Sequence, residues 1–242
     1  MKGLLVLFAA VALAQANSID FVSRQAAELG ENPWFVHLRV AKFNTGFLQS
    51  CAGALIGNRW LLTSNSCIEN VSFIWVRHGV VDVWRPELVV EASQQALFFN
   101  NPNGLSLVHL NRNIEFTENI SAARIASADD EVPSSGKFCG FGSSADGTLP
   151  GETLNCFEID LSGDEDGKRV TFDEGTSTEF DVGAPLVVDG TIHGVLVAKN
   201  TFVSPVESRD WIQEITGIEL SPPAVESEQV EVEPTAVKFV AY

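Results

Sequence analysis

Residues 186–198 read LVVDGTIHGVLVA, two apolar runs joined by Asp189-Gly190. Both residues of that dipeptide tolerate the positive φ angles of a tight turn, so the segment predicts a β-hairpin. Short apolar runs recur along the rest of the chain between Gly, Asn, Asp and Pro, for example at residues 34–40, 71–76 and 105–110. Runs of this length and spacing are typical of an all-β sandwich or barrel.

Only residues 208–216 are predicted to form a helix. Trp211, Ile212 and Ile215 share one face of that helix, and Gly217 is a typical residue for its end. The following residues, 218–242, contain Pro222-Pro223 and then glutamates that alternate with valine and glutamine up to Pro234. We interpret them as a flexible acidic tail, with docking of its apolar last residues as the alternative.

The first sixteen residues have the features of a secretory signal peptide. Lys2 precedes an apolar run over residues 4–13, and Ala14-Gln15-Ala16 fits an A-x-A cleavage site. The run is shorter than the ~20 apolar residues that a membrane-spanning helix needs. We therefore expect a secreted, extracellular protein whose mature chain begins at Asn17, the alternative being a buried N-terminal strand or helix.

Two further features fit export through an oxidising compartment. The chain has four cysteines, an even number that allows two disulfide bonds. Asn70 and Asn119 each begin an N-x-S sequon, so both are candidate glycosylation sites.

The formal net charge of −17 disfavours some classes of partner. An acidic surface repels nucleic-acid phosphates and anionic lipid head groups, so we expect neither nucleic acid nor membrane as a partner. The charge favours solubility, and a basic protein partner is the alternative. The cysteines lack CxxC spacing and the chain has no GxGxxG motif, so we expect no cofactor and no metal.

Several motifs, in order along the chain, resemble those of the chymotrypsin and trypsin-like serine protease family. Residues 51–56 (CAGALI), 60–67 (WLLTSNSC), 103–110 (NGLSLVHL) and 180–187 (FDVGAPLV) are similar to its CGG[ST]LI, WVLTAAHC, NDIALIRL and GDSGGPLV. Phe21-Val22-Ser23-Arg24, with Gly30 and Pro33-Trp34 behind it, resembles the family's IVGG start. The resemblance extends to about residue 215.

This resemblance implies a domain over residues 17–217. It would consist of two six-stranded antiparallel β-barrels, about 21–118 and about 119–207, with a cleft between them and the C-terminal helix 208–216.

The family's reaction needs an imidazole that takes a proton from a serine hydroxyl, and a carboxylate that orients the imidazole. The motifs place Ser66 at the histidine position, Gly104 at the aspartate position and Val182 at the serine position. The isopropyl group of Val182 offers neither a nucleophile nor a proton. The resemblance therefore implies a protease fold in which all three catalytic groups are replaced.

No other residue is a clear substitute for them. Ser106 and His109 are expected on a strand that does not reach the nucleophile, and His37, His78 and His193 are interpreted as core or surface histidines.

Activation and substrate binding also depart from the family pattern. Asp181 stands where the family has a buried aspartate that pairs with the new N-terminus, but Asp20, not lysine or arginine, precedes Phe21. A buried Asp181 would then need another partner. Phe180 replaces the glycine of the oxyanion loop, and Thr176 lies near the position that selects the substrate side chain. We expect a shallow substrate site.

The resemblance also implies disulfide pairs. Cys51 and Cys67 match the bridge that frames the histidine loop. The usual partner position of Cys139 holds Val188, so we expect Cys139 to pair with Cys156 across neighbouring strands, the alternative being free buried thiols.

The sequence style is similar to non-catalytic serine protease homologues of arthropods. We expect a secreted pseudoprotease that binds a protein, such as a protease, an inhibitor or a protease substrate. Residual serine endopeptidase activity and a passive acidic secretory protein are the alternatives.

Overall fold

The computed structural model describes residues 25–43, 46–99, 101–164, 168–172 and 177–220. The expected signal peptide, residues 21–24, Thr176 and residues 221–242 lie outside the described residues.

The described residues form fifteen β-strands and two α-helices. The strands are β1 Gln25–Ala26, β2 Phe35–Lys42, β3 Leu48–Gly57, β4 Trp60–Ser64, β5 Val71–His78, β6 Leu88–Ser93, β7 Leu97–Phe98, β8 Leu105–His109, β9 Arg124–Ile125, β10 Ser135–Gly140, β11 Asn155–Gly163, β12 Arg169–Phe172, β13 Pro185–Val188, β14 Thr191–Ala198 and β15 Thr201–Val203. The helices are α1 Asn65–Ile68 and α2 Arg209–Thr216, and single 3₁₀ turns cover Gln94–Ala96, Glu179–Asp181 and Val206–Ser208.

The strands form two sheets, as expected for an all-β protein. In the first sheet the order is β6-β5-β2-β3-β4-β8-β7. Six of these strands are longer, and the two-residue strand β7 lies at one end of the order. In the second sheet β11, β10, β13, β14, β15 and β12 follow one another, and the β11–β12 pairing closes them into a six-stranded barrel. The pairings within this ring are all antiparallel.

Two short strands extend the second sheet beyond these six. β1 pairs with β11, and β9 pairs in parallel with β14. The strand Gln25–Ala26 thus belongs to the second sheet, although the expected boundary of the first barrel was at residue 21. Backbone pairing with Asn155 and Cys156 decides this, because strand order follows hydrogen bonds and not chain order.

The hairpin predicted at residues 186–198 is confirmed. β13 and β14 pair, with Asp189 at φ 48° and Gly190 at φ 74° in the turn between them. Both residues therefore adopt the left-handed conformation that a tight hairpin turn needs.

The C-terminal helix is confirmed as well. α2 ends before Gly217, whose φ of 67° stops the helix. Ile212 is fully buried, and Arg209 donates hydrogen bonds to the carbonyls of Ile125 and Ala126, which fixes the helix against the second sheet. None of the helices in the described ranges has the length and apolar character needed to cross a bilayer.

The structure contains two disulfide bonds, one in each sheet region, and their pairs are those expected from the sequence. Cys51 of β3 is joined to Cys67 of α1, and Cys139 of β10 is joined to Cys156, its direct cross-strand neighbour on β11. Each closes a short loop, with sequence separations of 16 and 17 residues, and on the chain-entropy account such a loop is worth about 3 kcal/mol.

Candidate active-site cleft

The three positions singled out from the motifs lie on segments that meet between the two sheets. Ser66 is on α1, Gly104 directly precedes β8, and Val182 follows the 3₁₀ turn Glu179–Asp181. The Asn65 amide donates to the Gly104 carbonyl at 2.8 Å, which ties α1 to the start of β8. The Ala52 amide donates to the Val182 carbonyl at 2.9 Å, which ties the turn to the first sheet.

Val182 carries an apolar side chain that is only 9% exposed. It packs in the core cluster of the first sheet, together with Cys51, Cys67 and Ile68, although its own segment leads into the second sheet. Burying a valine of this size stabilises the fold by about 1.5–3 kcal/mol. The side chain at this position therefore acts as packing between the two halves of the molecule.

Gly183 allows this close approach. Its φ is 90°, and a Cβ built there would lie 2.1 Å from the Ala52 carbonyl oxygen and 2.4 Å from Thr63 Oγ1. Thr63 Oγ1 itself donates to the Ala52 carbonyl at 2.7 Å. No side chain larger than hydrogen fits at residue 183 without displacing the backbone.

Ser66 is exposed and its hydroxyl oxygen lies 3.0 Å from the Ser64 hydroxyl oxygen. Its carbonyl accepts a hydrogen bond from Lys42 Nζ at 2.9 Å, and Lys42 also donates to the Glu69 carbonyl at 2.7 Å. Lys42 thus donates to carbonyls at the C-terminal end of α1, where a positive charge is favourable.

A neutral polar network lies behind Gly104, and the sequence did not reveal it. The buried Ser106 hydroxyl donates to Asn65 Oδ1, and Asn65 Nδ2 donates to the Asn101 carbonyl at 3.4 Å. Asn101 Nδ2 and Asn103 Nδ2 both donate to Ser208 Oγ, at 3.1 and 3.2 Å. The network joins α1 to the segment before α2 through amides and hydroxyls.

The buried carboxylate of Asp181 has hydrogen-bond donors close at hand. Gly142 N donates to Oδ1 at 2.7 Å, while Thr178 N and Thr178 Oγ1 both donate to Oδ2 at 2.8 Å. Thr178 in turn accepts from Phe180 N at 3.3 Å, which completes a capping box around the 3₁₀ turn. The expected additional partners of Asp181 therefore include a neighbouring loop and its own turn.

The Phe180 contact also bears on the oxyanion loop. In the serine protease mechanism, backbone N–H groups beside the nucleophile point at the developing oxyanion. Here the N–H of Phe180, the residue that the motif predicts at the oxyanion-loop glycine position, donates to Thr178 Oγ1 at 3.3 Å. That donor is engaged inside the turn.

The four histidines of the chain are all described and all lie on strands. His37 and His78 are buried, on β2 and β5, and burial lowers the pKa of His37 to about 3 and that of His78 to about 4. His109 packs on Trp60 at the end of β8, with ring centroids 4.6 Å apart, and half-buried His193 lies on β14.

Metal binding finds no support in the described part of the chain. No group of three or more His, Cys, Asp or Glu side chains there is arranged to hold a metal ion.

The candidate glycosylation sites differ in accessibility. Asn70 is exposed in a turn at φ 57°, between α1 and β5. Asn119 is half-buried, and its Nδ2, the atom that would carry a glycan, donates to Glu87 Oε2 at 2.8 Å.

Two barrel-like sheets, the second closed by the β11–β12 pairing, together with a short C-terminal helix define the trypsin-like serine protease fold. The family model described as Trypsin matches residues 21–210, so the chain belongs to the trypsin family.

Similar sequences include kallikreins. Human (Homo sapiens) Kallikrein-4 is 24% identical over 218 residues, covering 80% of this chain and 82% of the relative. Human Kallikrein-7 is 26% identical over 197 residues, covering 72% and 74%. The mouse (Mus musculus) Kallikrein 1-related peptidase-like b4 is 24% identical over 227 residues, covering 79% and 85%.

Solved structures agree on the fold. HL collagenase superposes with a TM-score of 0.70 at 20% identity, covering 82% of this chain and 99% of its own. A structure described as GrC gives a TM-score of 0.70 at 16% identity, covering 81% and 99%.

Proposed function

We propose that this chain is a secreted, catalytically inactive member of the trypsin family that acts by binding another protein. The observation that carries the proposal is the apolar, buried side chain of Val182. At the position of the family's nucleophile stands an isopropyl group that is buried in the core of the first sheet. Acyl transfer by this family needs a hydroxyl at that point, and valine has none.

The surroundings of Val182 support the same conclusion. Ser66, at the base position, carries a hydroxyl that faces Ser64, and a hydroxyl does not act as a general base near neutral pH. Gly104, at the position of the orienting carboxylate, has no side chain, and its φ of 83° suits glycine. Phe180 N–H is engaged by Thr178, so one expected oxyanion donor is also occupied.

Export is supported by the two disulfides and the signal-like N-terminus. Disulfides persist in oxidising compartments and are rare in the cytosol. Residues 1–16 have the charge, apolar run and A-x-A site of a secretory leader.

A binding role follows from what remains. The cleft-forming segments are held by directed hydrogen bonds, as in the Ala52–Val182 and Asn65–Gly104 contacts, so the fold is rigid where the chemistry is replaced. A rigid scaffold with exposed loops suits recognition of an extracellular protein such as a protease, an inhibitor or a protease substrate. Fold alone does not choose among them.

The test is covalent labelling of the native mature chain by a fluorophosphonate probe, which reacts with an activated serine. We expect no labelling above that of the heat-denatured chain, while an active trypsin-family protease is labelled in the same tube. Labelling of a single serine that disappears on denaturation would overturn the proposal and favour the residual endopeptidase.

A further inference from the structure

A cavity of about 200 Å³ lies beside the first sheet, and Val182 is not among the residues that line it. Side chains of β2 and β5 form its floor, and the two loops before β6 and β11 form its walls. The residues that matter for its chemistry are His37, Arg39, Arg77, Trp84, Leu149 and Glu152.

The walls are fixed to each other by backbone hydrogen bonds. Val83 N donates to the Glu152 carbonyl at 3.0 Å, and Leu154 N donates to the Val81 carbonyl at 2.8 Å. Asp82 and Thr153 form an antiparallel bridge between these contacts. The cavity is therefore preformed, and a ligand would pay little to order it.

The floor carries two positive charges on one face. β2 and β5 are antiparallel, and His37 is the direct cross-strand partner of Arg77. Arg39 is two residues beyond His37, so its side chain lies on the same face of β2. Burial lowers the pKa of Arg77, and the nearby charge of Arg39 lowers it further.

His37 contacts the Arg77 guanidinium group with a neutral ring, so the positive charge of Arg77 is not compensated by this contact. Arg77 Nη1 lies 3.1 Å from His37 Nδ1, and His37 Nε2 lies 2.8 Å from Ser50 Oγ. Arginine has only donors, so Nδ1 must accept and the single ring proton is on Nε2. Burial, followed by the charges of Arg77 and Arg39, lowers the pKa of His37 to about 3, consistent with a neutral ring.

No carboxylate of the described residues forms an ion pair with Arg39 or Arg77. Within the described residues, the ion pairs up to 4.0 Å involve other cations, namely Arg85, Arg124, Lys137 and Lys168. Glu152, an exposed residue of the rim, is the carboxylate among the lining residues. Two guanidinium groups against one carboxylate leave a net positive charge among the residues that line the cavity.

Apolar side chains stand directly beside these charges. Trp84 is 72% exposed and Leu149 is 64% exposed, although both are large and hydrophobic. Exposed tryptophan and arginine together are the residue types that dominate protein-binding hot spots. A ligand that satisfied the site would place an anionic group at the arginines and an apolar side chain against Trp84.

We propose that this cavity binds an acidic and apolar peptide segment of the partner protein, in which an Asp or Glu is followed by an aliphatic or aromatic residue. The carboxylate binds Arg39 and Arg77, for which the planar guanidinium fork is suited, and the neighbouring apolar residue covers Trp84 and Leu149. The inference rests on the proposed binding function and specifies the surface that performs it.

The negative charge of the whole chain does not prevent this. The net charge of −17 belongs to the chain as a whole, whereas screening limits charge interactions to roughly 8 Å at physiological salt. At contact distance the ligand experiences the two arginines. At low salt the net negative charge of the chain slows the approach of an acidic segment. Added salt screens this repulsion, and it also screens the attraction between the segment and the two arginines.

The experiment measures fluorescence anisotropy of a labelled peptide, Val-Glu-Val-Glu-Phe with blocked ends, against the full mature chain. The control peptide has Gln in place of both Glu. We expect saturable binding of the acidic peptide and at least about tenfold weaker binding of the Gln peptide, because a charge-assisted bidentate contact is lost. Equal affinity for the two peptides, or no binding of either, would overturn the proposal.

Matched variants locate the site. Arg77→Gln and Trp84→Ala should each weaken binding of the acidic peptide by about tenfold or more. Arg112→Gln removes the same charge from an exposed arginine outside the cavity and should leave the affinity within about twofold. An equal loss in Arg112→Gln would mean a purely global charge effect and would overturn the site.

Folding is controlled in the same series. Trp84 is exposed, so its replacement leaves the core intact, and thermal unfolding of each variant checks this. The result is separable from the catalytic question. Fluorophosphonate labelling together with normal peptide binding would contradict only the proposed lack of catalysis. The absence of both labelling and peptide binding would contradict only the proposed peptide-binding cavity.

Discussion

The Ala52 amide donates a hydrogen bond to the Val182 carbonyl at 2.9 Å, across the junction of the two sheets. The bond places a residue of the second half of the chain beside β3 and lets the Val182 side chain enter the core of the first half. An active protease of this family needs a serine hydroxyl that meets the substrate, and the motif predicts Val182 at that position. Here the buried Val182 side chain and the Ala52 hydrogen bond stabilise the junction of the two sheets.

This junction predicts an unusually high cost for the change Gly183→Ala. The new Cβ would lie 2.1 Å from the Ala52 carbonyl oxygen, so the turn would have to move away from β3. Gly147→Ala is the matched control, since its φ of 74° is also positive but nothing lies within 4 Å of its Cβ. Both variants lose roughly 1–2 kcal/mol from the left-handed backbone. Gly183→Ala should lose about 1–3 kcal/mol more through overpacking.

Urea unfolding of both variants, followed by circular dichroism, measures the difference in the free energy of unfolding. An equal loss in the two alanine variants would show that residue 183 is not packed against β3 as described.

The buried carboxylate predicts a second effect. Asp181 accepts hydrogen bonds on both oxygens, from Gly142 on one side and Thr178 on the other. Asp181→Asn replaces one acceptor with an NH₂ group, which leaves at least one buried donor unpaired and costs about 1–3 kcal/mol. Asp146→Asn, at an exposed turn, should change thermal stability little. Similar losses in both variants, measured by differential scanning calorimetry, would contradict this role for Asp181.

The sequence predicted features that depend on local chemistry. Asp189-Gly190 specified the β13–β14 hairpin and Gly217 the end of α2, because each needs only a particular φ at a particular residue. The ordered motifs predicted the family and both sheets. The motif also puts Val182 at the expected nucleophile position, and that assignment stays a prediction.

Contacts between distant segments could not be predicted in this way. The donor Gly142 is 39 residues from Asp181, and Arg77 is 40 residues from His37. Both contacts exist only after the strands have paired in the observed register. Trp84 and Leu149 likewise have no shared motif, and only the bridge between their loops brings them to one cavity.

Acid sensitivity follows from His78. Its ring is buried, and within the described residues neither nitrogen has a hydrogen-bond partner. Burial and then the charge of Arg112 lower its pKa to about 4. The unfolded chain, with a histidine pKa of about 6.5, therefore takes up the proton first as pH falls. Stability present above pH 6.5 is lost as pH falls towards 4, by about 3 kcal/mol at most for this group.

His78→Leu should remove this contribution and reduce the pH dependence of unfolding between pH 6.5 and 4.5, while buried His37, whose pKa is lowered to about 3, keeps its own contribution. It should also stabilise the chain at pH 7 by about 1 kcal/mol or more, because an unpaired polar ring leaves the core. His109→Gln, at a less buried histidine, should alter the slope less. Urea midpoints at four pH values test this, and an unchanged slope in His78→Leu would refute it.

Restoring the three catalytic residues predicts a negative result with a physical cause. The combined change Ser66→His, Gly104→Asp and Val182→Ser supplies the side chains of the family's reaction. However, residue 104 has φ 83°, which strains any residue with a Cβ, so the new carboxylate should not reach the orienting position. The Phe180 N–H remains bonded to Thr178, and removing the Val182 side chain loosens the junction.

We expect no measurable peptide hydrolysis by the triple variant, and a lower unfolding temperature than the parent chain. The single change Val182→Ser is the control for stability, and an active trypsin-family protease is the control for turnover on the same substrate mixture. Turnover near that of the active enzyme would show that the loops around Phe180 and Gly104 can rearrange into a working site. In that case the proposed inactivity of the natural chain would rest on the three side chains alone, and the surrounding backbone would still be that of a protease.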